Sequence, residues 1–349
     1  MAISGDMPLK IEGNLKNQGL IQNNGRVFIT GNYENTGTIS GQSGSFVLLS
    51  NTTQSISTNG VALQTLELRG SGNKILSGNT PVIINTSLLI RSGIVVSDEN
   101  NYIIMGPEAT IVADPGTYIQ GPLFHQGTGN KFYPLGDNGT ATNVELINVT
   151  GSSDLLTGIE LMEETFVPVE SNGINSIYNQ RFWKRTILNG EFSSGKIQLP
   201  LLGDESILNP DDMVVLTSDN KDGPYFSIGS DEPNPDYIVS DESVNRSFIA
   251  IGEVTVFDPS EFVIKNLITL NNDNLNEWIY VENIENYSIN SIKLMNRLGI
   301  EVWSTNNYTN ELVESAPVEI PPGSYVCVLE FTDAEGKEIT RTQMITVVR

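Results

Sequence analysis

A nine-residue pattern that returns after eighteen residues restricts the possible folds of this chain more than any other feature. Gly13-Asn14-Leu15-Lys16-Asn17-Gln18-Gly19-Leu20-Ile21 is followed by Gly31-Asn32-Tyr33-Glu34-Asn35-Thr36-Gly37-Thr38-Ile39, with Gly, Asn, Asn, Gly and Ile in the same places. A train of short strand-like bursts comes next, at residues 27–30, 46–49, 65–68, 82–85, 88–90, 94–96, 102–105, 110–112 and 118–120. Gly, Asn and Ser punctuate them, and no window offers the i, i+3, i+4, i+7 spacing of an amphipathic helix. A coil of roughly 18 to 22 residues with small turn residues predicts a β-solenoid over residues 1–135, each coil pairing with its neighbours and burying an aliphatic stack. Asparagines would form hydrogen-bonded ladders at the corners. A flat or sandwich-like all-β domain is the alternative.

The pattern changes at Gly121. The run from Gly121-Pro122-Leu123-Phe124 through Gly127-Thr128-Gly129 to Phe132-Tyr133-Pro134-Leu135-Gly136-Asp137 resembles an element that closes repeat regions in surface proteins. An open solenoid end exposes strand edges and core, so a cap is expected there. Strand-like segments then recur at residues 144–149, 182–188, 196–202, 213–217, 237–239 and 248–251, separated by Gly, Asp, Asn and Pro clusters. This spacing predicts a second, sandwich-like β domain over residues 136–258 with Trp183 in its core, and residues 257–260 as the hinge into a third.

Charge is distributed unevenly. The chain carries 42 acidic and 19 basic residues, a formal net charge of −23. Residues 1–135 hold 7 basic and 8 acidic side chains, 136–258 hold 6 and 21, and 259–349 hold 6 and 13. Nucleic-acid binding is thereby disfavoured, because phosphate contacts need clustered Lys and Arg. An anionic membrane surface is equally disfavoured. No apolar stretch approaches the ~18 residues of a membrane-spanning helix. Met1-Ala2-Ile3-Ser4-Gly5-Asp6 has neither a basic n-region nor an apolar h-region, as expected of a mature form or a portion of something longer.

Residues 259–349 are again a run of strands. Tyr325, Cys327, Leu329 and Phe331 alternate with Val326, Val328 and Glu330, and a second alternation runs through Thr342, Met344, Thr346 and Val348. Asp333-Ala334-Glu335-Gly336 between them supplies turn chemistry, which makes the last two strands a hairpin. Upstream, Arg297-Leu298-Gly299 joins residues 292–296 to 300–303, its glycine suited to a left-handed position. Pro321-Pro322-Gly323 introduces the final hairpin.

At these residues the chain resembles the gliding-motility-associated C-terminal domain, the type B sorting domain of cargo exported by the type IX secretion system. The likeness rests on Asn271-Asn272-Asp273-Asn274-Leu275-Asn276-Glu277, on Met295-Asn296-Arg297-Leu298-Gly299-Ile300-Glu301-Val302-Trp303, on Pro322-Gly323-Ser324-Tyr325 and on the terminal Val347-Val348-Arg349. It departs where Leu270, Asn272 and Asn274 replace Pro, Gly and Gly, where Glu277 replaces Asp and where Leu298 replaces the hairpin Trp. Asn tolerates positive φ, so the loop can keep its shape. The resemblance implies export, a cell-surface or extracellular location and a role in a gliding adhesin. It also implies recognition of the folded terminal domain by outer-membrane secretion components, notably barrels of the PorP/SprF type. The residues it assigns to that surface are Asn271, Asp273, Asn276, Glu277, Asn296, Arg297, Gly299, Trp303, Tyr325 and Arg349.

The remaining chemistry is sparse. Cys327 is the one cysteine and His125 the one histidine. An alternating strand favours a core thiol, and a glycine-rich turn favours a packing imidazole. A polysaccharide lyase or hydrolase would need convergent carboxylates, whereas Asp98 and Glu99 are merely consecutive, so the expectation is no enzyme. Calcium is the cofactor that oxygen-rich loops could take, with Asp219, Asp222 and Asp273 as ligands, although neither loop completes an EF-hand and solvated surface acid is the plainer reading. A carbohydrate-binding or polysaccharide-degrading module carrying the same export domain is the alternative function, and solvent-facing aromatics along one face would favour it. The expected architecture is all-β, a β-solenoid-like repeat region followed by two Ig-like β-sandwich domains.

Overall fold

The computed structural model describes residues 1–5, 8–162, 167–169, 174–205, 208, 212–231, 234–254, 264–270, 276, 278–282, 288–309, 320–332 and 338–349. No α-helix occurs among them, in keeping with the absence of a 3.6-residue period. They form two compact units, one of Met1–Val169 with Ile177–Gly252 and one of Glu170–Ser176 with Glu253–Arg349.

The first unit opens with the expected solenoid. Seven strands stack in parallel on one side: Leu9–Ile11, Arg26–Ile29, Ser45–Leu49, Leu63–Arg69, Val82–Ile90, Ile103–Met105 and Leu123–Gln126. Seven more form the other side: Leu15–Asn17, Tyr33–Asn35, Gln54–Ser57, Lys74–Leu76, Ile94–Val96, Tyr118–Gln120 and Gly129–Asp137. The chain thus winds through about seven coils. A short third sheet of Ala2–Ile3, Leu20–Asn23 and Thr38–Ser40 lines the first ones.

Parallel register puts like residues above one another. Val27, Phe46, Leu66 and Leu88 form one inward row, Ile29, Leu48, Leu68 and Ile90 the next, and all are buried. Each such side chain contributes about 1.5 to 3 kcal/mol by leaving water. The repeated asparagines hold the corners, as the ladder expectation requires. Asn17 Nδ2 donates to Asn35 Oδ1 (2.7 Å), and Asn35 Nδ2 donates to the Gly37 and Thr58 carbonyls (3.2 and 3.3 Å). Asn14 Oδ1 accepts from the Asn32 N–H, and Asn32 Oδ1 from the Ser55 N–H. The second repeat glycine is steric: a Cβ at Gly37 would lie 2.2 Å from the Gly19 carbonyl oxygen one coil below.

Around residues 121–137 strand direction changes. Leu156–Met162 pairs antiparallel with Leu123–Gln126 and is followed in that sheet by Phe182–Asn189, Phe248–Val254 and Met213–Ser218. Thr140–Gly151, Phe192–Pro200 and Tyr237–Val239 extend the other sheet in the same way. The acidic segment therefore adds strands to both solenoid sheets, where a sandwich with sheets of its own was expected. Val144, Trp183, Ile197 and Ile249 belong to the same buried cluster as Val27 and Leu68. The physical reason is the one that called for a cap: strand edges at the last coil need partners, and these antiparallel strands supply them. His125 lies at this change of direction, buried, with Nε2–H donating to the Phe132 carbonyl (2.8 Å) and its ring edge-on to Tyr133. Burial holds its pKa down at about 3, so it is a neutral packing residue.

The second unit contains a five-stranded sheet in the order Leu267–Thr269, Glu338–Val348, Gly323–Thr332, Ser288–Met295, Glu301–Asn306. The first pair is parallel and the others antiparallel. Both expected hairpins are present, Thr332 pairing with Glu338 and Met295 with Glu301. The turn at 333–337 lies outside the described residues. Ile268, Ile292, Leu294, Cys327, Leu329, Phe331, Ile345 and Val347 form the core of this unit.

Candidate recognition end of the terminal domain

Register fixes which ends of these strands lie together. Thr269 pairs with Val348, Val347 with Gly323, and Val326 with Met295, whose chain then enters the hairpin turn. The C-terminus, the start of Gly323–Thr332, Leu270 and the turn at 296–300 therefore share one end of the sheet.

Three of the expected surface residues build the turn. Asn296 Oδ1 accepts from the Leu298 and Ile300 N–H groups (2.9 and 3.1 Å), while the Asn296 carbonyl accepts from the Gly299 N–H (2.9 Å). Gly299 has φ +75°, the left-handed position expected of it. A bulge between Leu294 and Met295 absorbs the extra residue. Arg297 and Arg349 are exposed. Asn276 has φ +53° and its carbonyl accepts from the Thr269 N–H (2.8 Å), so the asparagine-rich loop does use positive φ at a non-glycine residue. Asn271, Asp273 and Glu277 lie outside the described residues.

Two expected surface residues face inward. Tyr325 is buried, its hydroxyl donating to the Pro321 carbonyl (2.6 Å), which ties the Pro-Pro-Gly corner to the sheet. Trp303 is half-buried opposite Leu294 and packs on the core. Exposed at the same end are apolar residues, those of the hairpin and Val348 lying inside the motifs that carry the resemblance and Met344 outside them. Leu298 is 75% exposed, Ile300 58% and Met344 57%, with Val302 and Val348 also open to solvent. Their signal was legible only in part: Met344 falls on the outer face of its alternating strand, whereas the exposure of Leu298 and Ile300 follows from the turn geometry.

Residues 262–347 match the CHU_C type IX secretion signal domain. The signal domain thus accounts for the second unit's sheet, and it implies interaction with the secretion machinery and export to the cell surface or extracellular space. No curated protein and no solved structure matches the chain.

Cys327 is fully buried within the signal domain, and burial pushes its thiol up to about 12. Of the expected calcium ligands, two fall among the described residues. Asp219 is exposed and pairs with Arg246 Nε at 3.4 Å, Asp222 is exposed, and Asp273 lies outside the described residues. Among the described residues no three His, Cys, Asp or Glu side chains cluster as a ligand set, and no helix is long and apolar enough to cross a membrane.

Proposed function

We propose that this chain is a non-enzymatic surface protein in which the solenoid unit is the exported body and the signal domain its folded address, serving in a gliding or surface adhesin. The observation that carries the proposal is the match of residues 262–347 to a type IX secretion signal domain on a unit with its own hydrophobic core. A folded address is read by surface, and the surface that best fits the role is the sheet end carrying Arg297, Leu298, Ile300, Met344 and Arg349. Exposed apolar groups ringed by charges are what a specific partner desolvates. The partner is an outer-membrane component, a barrel of the PorP/SprF type.

A spacer or adhesive role for the solenoid is favoured over a neutral-sugar-binding groove by its side chains. Among the described residues of 1–135, the large apolar side chains open to solvent are Met1, Leu20, Leu49, Ile75 and Val112, and none is aromatic. A stacking platform for sugar rings would need exposed rings. The test is export of a Leu298→Asp, Ile300→Asp double variant. Both side chains already face solvent, so the domain should melt normally while surface delivery drops severalfold. Wild-type delivery by that variant would remove the hairpin from the recognition surface.

A further inference from the structure

The three arginines of residues 1–135, Arg26, Arg69 and Arg91, converge on one carboxylate. Glu67 lies in the outward row Phe28, Val47, Glu67, Leu89 of a solenoid sheet, yet it is only 4% exposed. Its Oε2 accepts from Arg26 Nη2 (2.7 Å), and its Oε1 from Arg69 Nε and Nη2 (2.7 and 2.6 Å). Arg91 Nε is 4.0 Å from the same Oε1, and Arg91 also pairs with Asp114 (2.9 Å). Arg26 stands one strand before Ser45–Leu49 and Glu67 one strand after it, so the Arg26 side chain crosses Val47. That crossing explains why Val47 is fully buried although it faces away from the core cluster.

Fixing a carboxylate on a sheet takes one arginine, and here three guanidiniums meet two carboxylates. Each guanidinium has five N–H donors in a rigid fork, so most donors remain after Glu67 is satisfied. The arginine side chains keep 39–49% exposure, which leaves those donors facing solvent. The surplus positive charge is held in place by a buried counter-ion. It also lies in the part of the chain that is nearly neutral, with the acid concentrated beyond residue 135.

We infer that Arg26, Arg69 and Arg91 form an oxyanion-binding site that takes a sulfate ester or carboxylate of an acidic polysaccharide laid along the solenoid. Guanidinium forks match both groups in bidentate geometry. Beside the cluster, Ser45, Thr65, Ser87 and Thr110 stand in register with Arg26 on successive strands, a ladder of hydroxyls at about 4.8 Å spacing. A hydroxyl ladder leading away from an oxyanion site matches a sugar chain lengthwise, and this favours a glycan over a lipid surface.

The test is binding of the full chain to dextran sulfate and to alginate at about 0.1 M salt, where charges more than ~10 Å away are screened. Arg26→Gln with Arg91→Gln should weaken binding about tenfold or more, since two sets of charge-assisted donors are lost. Glu67→Gln, which removes the internal competitor and keeps the shape, should strengthen it. Neutral dextran should not bind, and Lys196→Gln, which removes one positive charge elsewhere just as Arg91→Gln alone does here, should leave affinity unchanged. Melting curves ensure that each variant is folded, and Arg91→Gln alone, at a peripheral exposed residue, should give an intermediate loss. The inference is overturned if neither polyanion binds, if the arginine variants bind as wild type does, if Lys196→Gln weakens binding equally, or if phosphatidylglycerol vesicles bind through these arginines more tightly than either glycan.

Discussion

Single residues decide whether the turn and the coils can close. Gly299 has φ +75° and open space around its missing Cβ, so a side chain there meets backbone strain and no clash. Gly299→Val should cost about 1 to 3 kcal/mol, whereas Gly299→Asn, able to occupy the left-handed region, should cost much less. Thermal unfolding of the two variants checks the difference. Lys74 is fully buried in the solenoid, its ammonium donating to the Gly72 carbonyl (2.5 Å), and burial lowers its pKa from 10.5 to about 8. Because the folded pKa lies below the unfolded one, the unfolded chain holds more protons between about pH 8 and 10.5. Stability from this group therefore rises with pH across that window. Lys74→Met should flatten the rise, which denaturant titrations at pH 8, 9 and 10 would measure. Such a lysine is not legible in sequence, where Lys74 reads as a surface residue. Nor is the buried pairing of Arg181 with Glu205, both under 5% exposed, because it joins residues 24 positions apart.

Elements were legible where pairing is local or repeated. The eighteen-residue echo contains its own register: Leu15 pairs with Tyr33 and Asn17 with Asn35, the positions that match in sequence. Asn35→Ala should cost about 1 to 3 kcal/mol, since it strands the buried Thr58 carbonyl, removes a partner from the half-buried Gly37 carbonyl and leaves the Asn17 amide with the Thr38 carbonyl as its remaining acceptor. Urea unfolding of the variant checks this, and a cost near zero would mean the ladder is decorative. The hairpin at Arg297-Leu298-Gly299 was legible for a similar reason, its glycine and bulge being written in consecutive residues. The acidic segment was not. Strand periodicity there found most of the strands, but Leu146 pairs with Ile197 and Trp183 with Ile249, and nothing local says that such strands extend an existing sheet. Likewise, the motif residues Trp303 and Tyr325 could be assigned a place in the domain but not a direction, and both turn toward its core.

At the scale of the whole molecule, two units with separate hydrophobic clusters imply separable stability. A chain ending at residue 261 keeps the entire buried cluster of the solenoid unit, so its melting transition should coincide with that of the same unit in the full chain. Calorimetry of both proteins checks this, and a shift of many degrees would show that the units depend on each other. The same truncation bears on function, because residues 262–347 match the type IX secretion signal domain. The direct measurement is surface exposure, by protease accessibility on intact cells with a working type IX system, of the full chain and of the chain ending at residue 261. The expected result is a full-length protein displayed or released and a truncated protein folded but retained within the envelope; equal delivery of the two would contradict the role of the terminal domain as the address.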